Sequence, residues 1–359
     1  MDGSKLKINW IKMEIKIIQS FFLLYYLWNI MSFQHNDSGA GGAGDASHGN
    51  GYSNDGMLNM DERYPSTQKK RTTAYIAGCV RNCADHLEHV FLNIKRIAEK
   101  LDDFFIIISY DHSTDKSLDI LNYYKSMRFF KNKMHIIVNT EPRLAYRTQN
   151  IARARNLVLS FVEKDYIVCD LVVNKDHTVE NISIPKHPLF MWIDCDDVCS
   201  SRLDVDTLFG FFGREDWDVL TFNRPIYYDV WALSYEPFVV SCWAWGVNSR
   251  KIVYAMRDDI KEKLEKLEKN ALMACNSAFN GFAVYRTEKM LGCVYDWKCE
   301  VLSKLHRESV NYCVRKYQCF PDMVKEDTEK EDCEHKSFHK QMREKNGARI
   351  CISPVILFA

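Results

Sequence analysis

Pro188-Leu189-Phe190-Met191-Trp192-Ile193-Asp194-Cys195-Asp196-Asp197 is the stretch whose reading decides the fold. Five apolar residues, Leu189 to Ile193, end in three carboxylates within four positions. The run is too short for a buried helix and is preceded by a proline, so it reads as a buried strand. Its carboxylates then stand where the strand leaves the sheet, the edge at which open α/β sheets bind ligands. Asp194 and Asp196 are two apart, and a chain that turns after Ile193 presents both to one hard cation. Oxygen ligands of this kind suit Mg²⁺ or Mn²⁺ carried with a diphosphate. The same residues also suit an acidic loop that caps a helix near Ser200–Leu208, so the pattern alone leaves both readings open.

Working outward, strands and helices alternate. Ala74–Val80 reads as a strand with Arg81-Asn82 at its carboxyl end. Leu87, Val90, Phe91, Ile94, Ile97 and Leu101 have helical spacing. Phe104–Ser109 is a second strand, running into Tyr110-Asp111-His112-Ser113-Thr114-Asp115. Ser117–Tyr124 starts a helix, and His135–Val138 is a third strand. This alternation predicts an α/β fold with a mostly parallel, doubly wound central sheet flanked by helices. Ile151–Leu159 predicts a helix carrying Arg153 and Arg155, and Val219–Phe222 a fifth strand. Tyr227–Leu233 and Cys242–Trp245 are dense in aromatics. Ile260–Leu272 predicts a charged, solvated helix. Phe279–Arg286 is strand-like around Gly281, Glu334–Lys345 is a helix, and Ala348–Pro354 closes the core.

Residues 1–33 hold Lys5, Lys7, Lys12 and Lys16 ahead of an apolar segment, Ile17–Phe33, at the lower limit of length for a membrane span. As an anchor it places the amino end in the cytosol and the rest in a lumen, a single-pass type II protein of the ER or Golgi. The alternative is a docked amphipathic helix on a cytoplasmic protein, the cytoplasm of a virus-infected cell included. Residues 34–70, with Ser38-Gly39-Ala40-Gly41-Gly42-Ala43-Gly44, are a flexible linker, which leaves 71–359 as the folded domain. Asn36-Asp37-Ser38 and Asn181-Ile182-Ser183 are glycosylation sequons with meaning only in a lumen. The chain balances 48 basic against 48 acidic residues, which gives no support for a nucleic-acid partner. Its 13 cysteines include no Cys-x-x-Cys pair, which argues against a zinc ribbon or thioredoxin-like motif. Cys79 with Cys83, and Cys195 with Cys199, read as packed free thiols, or as disulfides in an oxidising compartment.

Together these pieces resemble the glycosyltransferases of the GT-A (Rossmann-like) fold over roughly residues 71–356. Asp111, Ser113 and Asp115 look like that fold's first acidic loop, with Tyr110 and His112 as departures. Ile151–Asn156 looks like the Ala-Arg-Asn helix, and Asp194-Cys195-Asp196 matches the Asp-x-Asp motif. Cys333-Glu334-His335 with Gly347–Pro354 looks like the terminal Glu-Asp helix and its tail, one residue longer. More narrowly, Tyr228–Leu233 and Cys242-Trp243 resemble the capsule-associated α-mannosyltransferase-like group and similar enzymes of large DNA viruses.

The resemblance implies sugar transfer from a nucleotide-sugar, a UDP- or GDP-sugar, to a hydroxyl of a glycan or glycoprotein acceptor, with Mn²⁺ or Mg²⁺ as cofactor. It implies Asp196 as a metal ligand, Asp194 at the metal or the ribose, and His335 as a third ligand, with His339 as its substitute. Asp111 is implied for the nucleobase and Arg81 for base or phosphate, with Arg153 and Arg155 for the diphosphate. An inverting enzyme needs a carboxylate to take the acceptor's proton; Glu334 is expected first and Asp229 second. Trp231, Trp243 and Trp245 are expected to stack on sugar rings, and Asn280 and Gly281 to line the substrate site. Two rivals share the carboxylates. A nucleotidyltransferase or phosphatase calls for a Gly-rich phosphate loop or an early Asp nucleophile, and Ala77–Asn82 offers neither. A non-catalytic carbohydrate-binding protein of the same fold would tolerate loss of Asp194 and Asp196, and both are present.

Overall fold

The structure, a computed structural model, describes residues 71–166, 168–173, 179–184, 186–239, 249–298, 315–316 and 332–358. The elements run β1 (Thr73–Val80), α1 (Ala84–Lys100), β2 (Asp103–Tyr110), α2 (Ser117–Ser126), β3 (Met134–Val138), α3 (Arg147–Tyr166), β4 (Val168–Val173), β5 (Val179–Ile184), β6 (Leu189–Ile193), α4 (Val205–Gly210), β7 (Val219–Asn223), α5 (Ser249–Glu265), β8 (Met273–Cys275), β9 (Phe282–Arg286), α6 (Glu334–Asn346) and β10 (Ile350–Ile356). The anchor expected at residues 17–33, the linker at 34–70, Trp243 and Trp245 all lie outside the described residues. Among the described residues no helix is long and apolar enough to cross a membrane.

Eight strands form one sheet in the order β3-β2-β1-β6-β9-β7-β10-β8. Parallel pairing joins β3, β2, β1 and β6, and again β7 and β10. The α/β fold with a mostly parallel sheet is therefore as the alternation predicts. Both faces of the sheet are covered, and the period-2 geometry of a strand divides its side chains between them. Ile76, Ile106, Ile108, Met191 and Ile193 pack with Leu87, Phe91 and Ile94 of α1. Tyr75, Ala77, Ile107, Phe190 and Trp192 pack on the opposite face with Val158 and Val162 of α3 and Phe338 and Met342 of α6. All five residues of β6 are buried, which is why its sequence shows no alternation of apolar and polar positions.

The structure departs from the predicted elements in three places. β9 runs antiparallel between β6 and β7, and β8 runs antiparallel on the far edge. The strand expected over Phe279–Arg286 begins only at Phe282, because Asn280 and Gly281 form a turn with positive φ (57° and 85°). That turn sits on the carboxyl edge, so β9 must run back from it, and Ile193 pairs with Phe282. The charged helix expected over Ile260–Leu272 is α5, Ser249–Glu265: its charge pattern marks a solvated face but not its ends. The two-stranded antiparallel sheet of β4 and β5 was not predicted; the second sequon falls on β5.

Gly78, near the end of β1, explains how closely the sheet approaches the acidic loop. A Cβ there would lie 2.4 Å from Cys195 Sγ and 3.1 Å from the Ile193 carbonyl oxygen. Only glycine lets β1 pass this close.

Candidate active site

Four strands deliver polar residues to one edge. β1 is followed by Arg81, β2 by Asp111, β6 by Asp194, and β7 by the segment leading to Asp229. They surround a cavity of about 550 Å³ whose wall includes Arg81, Asp111, Arg155, Asp194, Asp196, Asp229, Trp231, Glu334 and His335. Nine of the residues expected at the site from sequence are thus brought together.

Asp111 is buried at the end nearest β3. Its Oδ1 accepts from Asn139 Nδ2 (3.0 Å) and from the His112 backbone N–H (3.0 Å). Asp194 and Asp196 occupy the middle. Asp194 Oδ1 stands 3.7 Å from Arg155 Nη2, and its backbone N–H donates to the Gly281 carbonyl at 2.8 Å. Burial and then the Asp196 charge push the Asp194 carboxyl well above its usual range. Asp196 is also raised, by burial first, with Asp197 adding to the shift. Its Oδ1 accepts from the Val198 N–H (3.2 Å), so it caps the one-turn helix Asp197–Cys199. Asp196 thus lines the cavity and caps this short turn, while the helix expected near Ser200–Leu208 is α4, capped by Asp204 instead.

Two half-buried carboxylates, both held above the usual carboxylate range, form a donor set that a divalent cation would relieve. Among the described residues no group of three His, Cys, Asp or Glu is arranged to hold a metal. A pair of carboxylates nevertheless fits Mg²⁺ or Mn²⁺, because these ions complete their shells with water and substrate phosphates. His335 lines the same cavity but makes no three-ligand group with the pair. It is buried, its ring stacks on Phe279 at 4.1 Å, and burial holds it neutral. Neither ring nitrogen has a hydrogen-bond partner. His339 is no substitute, since its ring is taken up by Ser277 Oγ (2.8 Å) and Tyr285 OH (3.1 Å).

Arg155 has a different place from the one expected. Its guanidinium lies 4.8 Å from the ring centres of both Trp192 and Phe279, and Nε donates to Glu334 Oε1 at 3.1 Å. Burial opposes its charge, but Glu334 and other neighbours including Asp194 hold its pKa above the ordinary value. It is a buried bridge between Asp194 and Glu334 rather than an open clamp for a diphosphate. Arg153 is a clear correction. Two residues along a helix is a turn of 200°, so Arg153 points away. It donates to the Pro142 carbonyl (2.9 Å) and lines a separate cleft behind α3.

Asn280 and Gly281 are corrected too: they organise the site and do not line it. Asn280 is 1% exposed. Its Oδ1 accepts from the backbone N–H groups of Tyr228 (2.8 Å) and Asp229 (3.1 Å), and Nδ2 donates to the Phe222 carbonyl (2.8 Å). A Cβ on Gly281 would lie 2.5 Å from Val198 Cγ1. Arg224 adds bonds from Nε to the Asn280 carbonyl (2.9 Å) and from Nη1 to the Val198 carbonyl (2.5 Å). One two-residue turn thus fixes both the Asp194–Cys199 loop and the Asp229 loop. Asn280→Ala leaves two partly buried N–H groups without that acceptor and is expected to cost about 2–3 kcal/mol in thermal or urea unfolding.

Asp229 lines the wall and makes no ion pair among the described residues. Its Oδ1 accepts from the Ala232 N–H (3.1 Å), and burial lifts its pKa to about 6, with Glu334 adding to the rise.

No family model matches the chain, and no curated protein matches it. Solved structures do show similarity. The mannosyltransferase PcManGT from Pyrobaculum calidifontis, in complex with GDP-Man and Mn²⁺, is 14% identical with a TM-score of 0.36, covering 64% of this chain and 48% of that one. TarS 1–349 of S. aureus in complex with UDP is 12% identical with a TM-score of 0.36, over 80% and 59%. Glucosyl-3-phosphoglycerate synthase from Mycobacterium tuberculosis, with uridine-diphosphate, is 9% identical with a TM-score of 0.32, over 62% and 58%. The chain spans about half to three fifths of the length of these structures.

Three arginines of the cavity wall, Arg143, Arg147 and Arg257, were missed in the sequence. Arg143 and Arg147 precede the apolar part of α3 by four residues or more, and Arg257 looks like one more charge on a solvated helix. The four cysteines near the acidic loop, Cys79, Cys83, Cys195 and Cys199, are free. Burial pushes the Cys79 and Cys83 thiols up to about 12 and about 11, so they pack as neutral side chains.

Proposed function

We propose that the chain is a GT-A-type glycosyltransferase that moves a sugar from a nucleotide-sugar to an acceptor hydroxyl with a divalent metal. The observation that carries this reading is the Asp194–Asp196 pair on the carboxyl edge of β6, opening into the same cavity as Asp111 and Asp229. Asp111 stands at the nucleobase end. Asp194 and Asp196 would hold Mn²⁺ or Mg²⁺, which when bound offsets the charge that builds on a departing diphosphate. Asp229 removes the proton from the acceptor hydroxyl. Glu334 was the first expectation for that role, but its carboxylate is committed to buried Arg155. Arg155 and Glu334 keep the metal wall and the base wall at a fixed separation. Trp231, half-buried on the cavity wall, offers an aromatic surface to a sugar face.

The test uses the full chain with a panel of UDP- and GDP-sugars, with and without Mn²⁺. Melting temperature and released nucleoside diphosphate are read together. Metal-dependent stabilisation by UDP or GDP, and slow hydrolysis of one donor, are expected. Absence of both across the panel would overturn the reading. A carbohydrate-binding protein would instead be stabilised by sugars without nucleotide or metal.

A further inference from the structure

Arg143, Arg147 and Arg257 reach the cavity from two elements, α3 with the segment before it and α5. Among the described residues none of the three makes an ion pair or a side-chain hydrogen bond. Other arginines nearby are engaged: Arg153 with the Pro142 carbonyl, Arg155 with Glu334, Arg224 with two loop carbonyls. Arg257 goes further, because its Nε is buried with no hydrogen-bond partner. A buried guanidinium N–H left unmatched inside a cavity calls for an acceptor supplied by a ligand.

Position separates this group from the nucleotide end of the site. Arg81 and Asp111 lie at the ends of β1 and β2. Arg257 belongs to α5, which packs on the loop after β7: Tyr235 of that loop donates its OH to Asp259 Oδ2 (2.9 Å), two residues along from Arg257. That loop carries Tyr228, Asp229 and Trp231. The charge of Arg147 acts on the Tyr228 hydroxyl, as do those of Asp194, Asp196 and Asp229. The arginines therefore line the part of the cavity that carries the Tyr228–Trp231 loop.

We propose that Arg147 and Arg257, with Arg143 at the rim, form a subsite for an anionic group, phosphate or carboxylate, borne by the acceptor next to its attacking hydroxyl. The inference rests on the glycosyltransferase reading and narrows its acceptor to an acidic saccharide or a sugar phosphate. Guanidinium groups are suited to both anions through paired N–H donors.

The experiment measures binding to the full chain loaded with Mn²⁺ and whichever of UDP or GDP stabilises it. Glucose, glucose 6-phosphate and glucuronate are titrated as probes. The two anionic probes distinguish phosphate from carboxylate recognition, and at least one is expected to bind about tenfold or more tighter than glucose. Arg257→Gln is expected to remove that advantage, while the affinity for the Mn²⁺–nucleotide complex changes less than about twofold. Arg147→Gln, at an exposed position, is a second arm should the first variant fold poorly. Equal binding of neutral and anionic probes would overturn the subsite. So would a matching loss of nucleotide affinity in the variants, which would assign these arginines to the donor's diphosphate. If the wild-type chain binds no nucleotide with Mn²⁺, the glycosyltransferase reading itself fails and the subsite falls with it.

Discussion

Asp196→Ala is expected to lower sugar transfer by on the order of 10³-fold, since it removes half of a preorganised charge-stabilising donor set. Its effect on folding has a different sign from that of most buried substitutions. Burial and Asp197 raise the carboxyl's pKa in the folded chain, so its ionised form is disfavoured there relative to the unfolded chain. A neutral replacement relieves that cost at neutral pH and gives up one bond to the Val198 N–H. The melting temperature without ligand should therefore stay within a few degrees of wild type. The stabilisation by Mn²⁺ with nucleotide should vanish. Full activity in this variant would remove the metal role from the pair. A variant that is inactive because it is unfolded would show itself in the unliganded melt.

Why the pair was legible and its surroundings were not follows from what each feature depends on. The run Leu189–Ile193 is apolar without alternation because both sheet faces are covered, and its abrupt end in carboxylates marks the carboxyl edge. Those are local signals. So are the helical spacing of α1 and the strand lengths of β1 to β3, which follow from residues within a dozen positions. Asn280 is the opposite case. From sequence it is a polar residue beside a glycine, which suits a substrate contact. Its actual role depends on β9 running backward between β6 and β7, a pairing between positions about 90 residues apart that no local pattern encodes. Arg153 and Arg155 show a third situation. Helical geometry alone says that only one of them faces the cavity, but which one depends on how α3 lies on the sheet. His335 was expected at the metal from its place in a motif. Its ring stacks on Phe279, 56 positions away, and among the described residues it joins no three-ligand group, which no local pattern encodes.

The two candidate bases of the wall, Asp229 and Glu334, are separable by one pair of substitutions. Asp229→Asn is expected to lower turnover by about 10²–10⁴-fold, the usual contribution of a general base, with little change in donor affinity. Because burial lifts Asp229 to about 6, the wild-type rate should be level above that pH and fall about tenfold per unit below it, as the protonated acid is far too weak a base to take the acceptor's proton. The residual rate of the variant should lack that limb. Glu334→Gln behaves differently. It leaves the buried Arg155 charge without its 3.1 Å partner, which is expected to cost about 3–5 kcal/mol of stability. That variant should melt early, and whatever activity survives should keep the limb, since Asp229 is intact, but displaced to lower pH because the Glu334 charge no longer adds to the rise. The opposite pattern, with the limb lost in Glu334→Gln and kept in Asp229→Asn, would return the base to Glu334. The pH limb decides between the two carboxylates because loss of turnover alone is expected from either substitution.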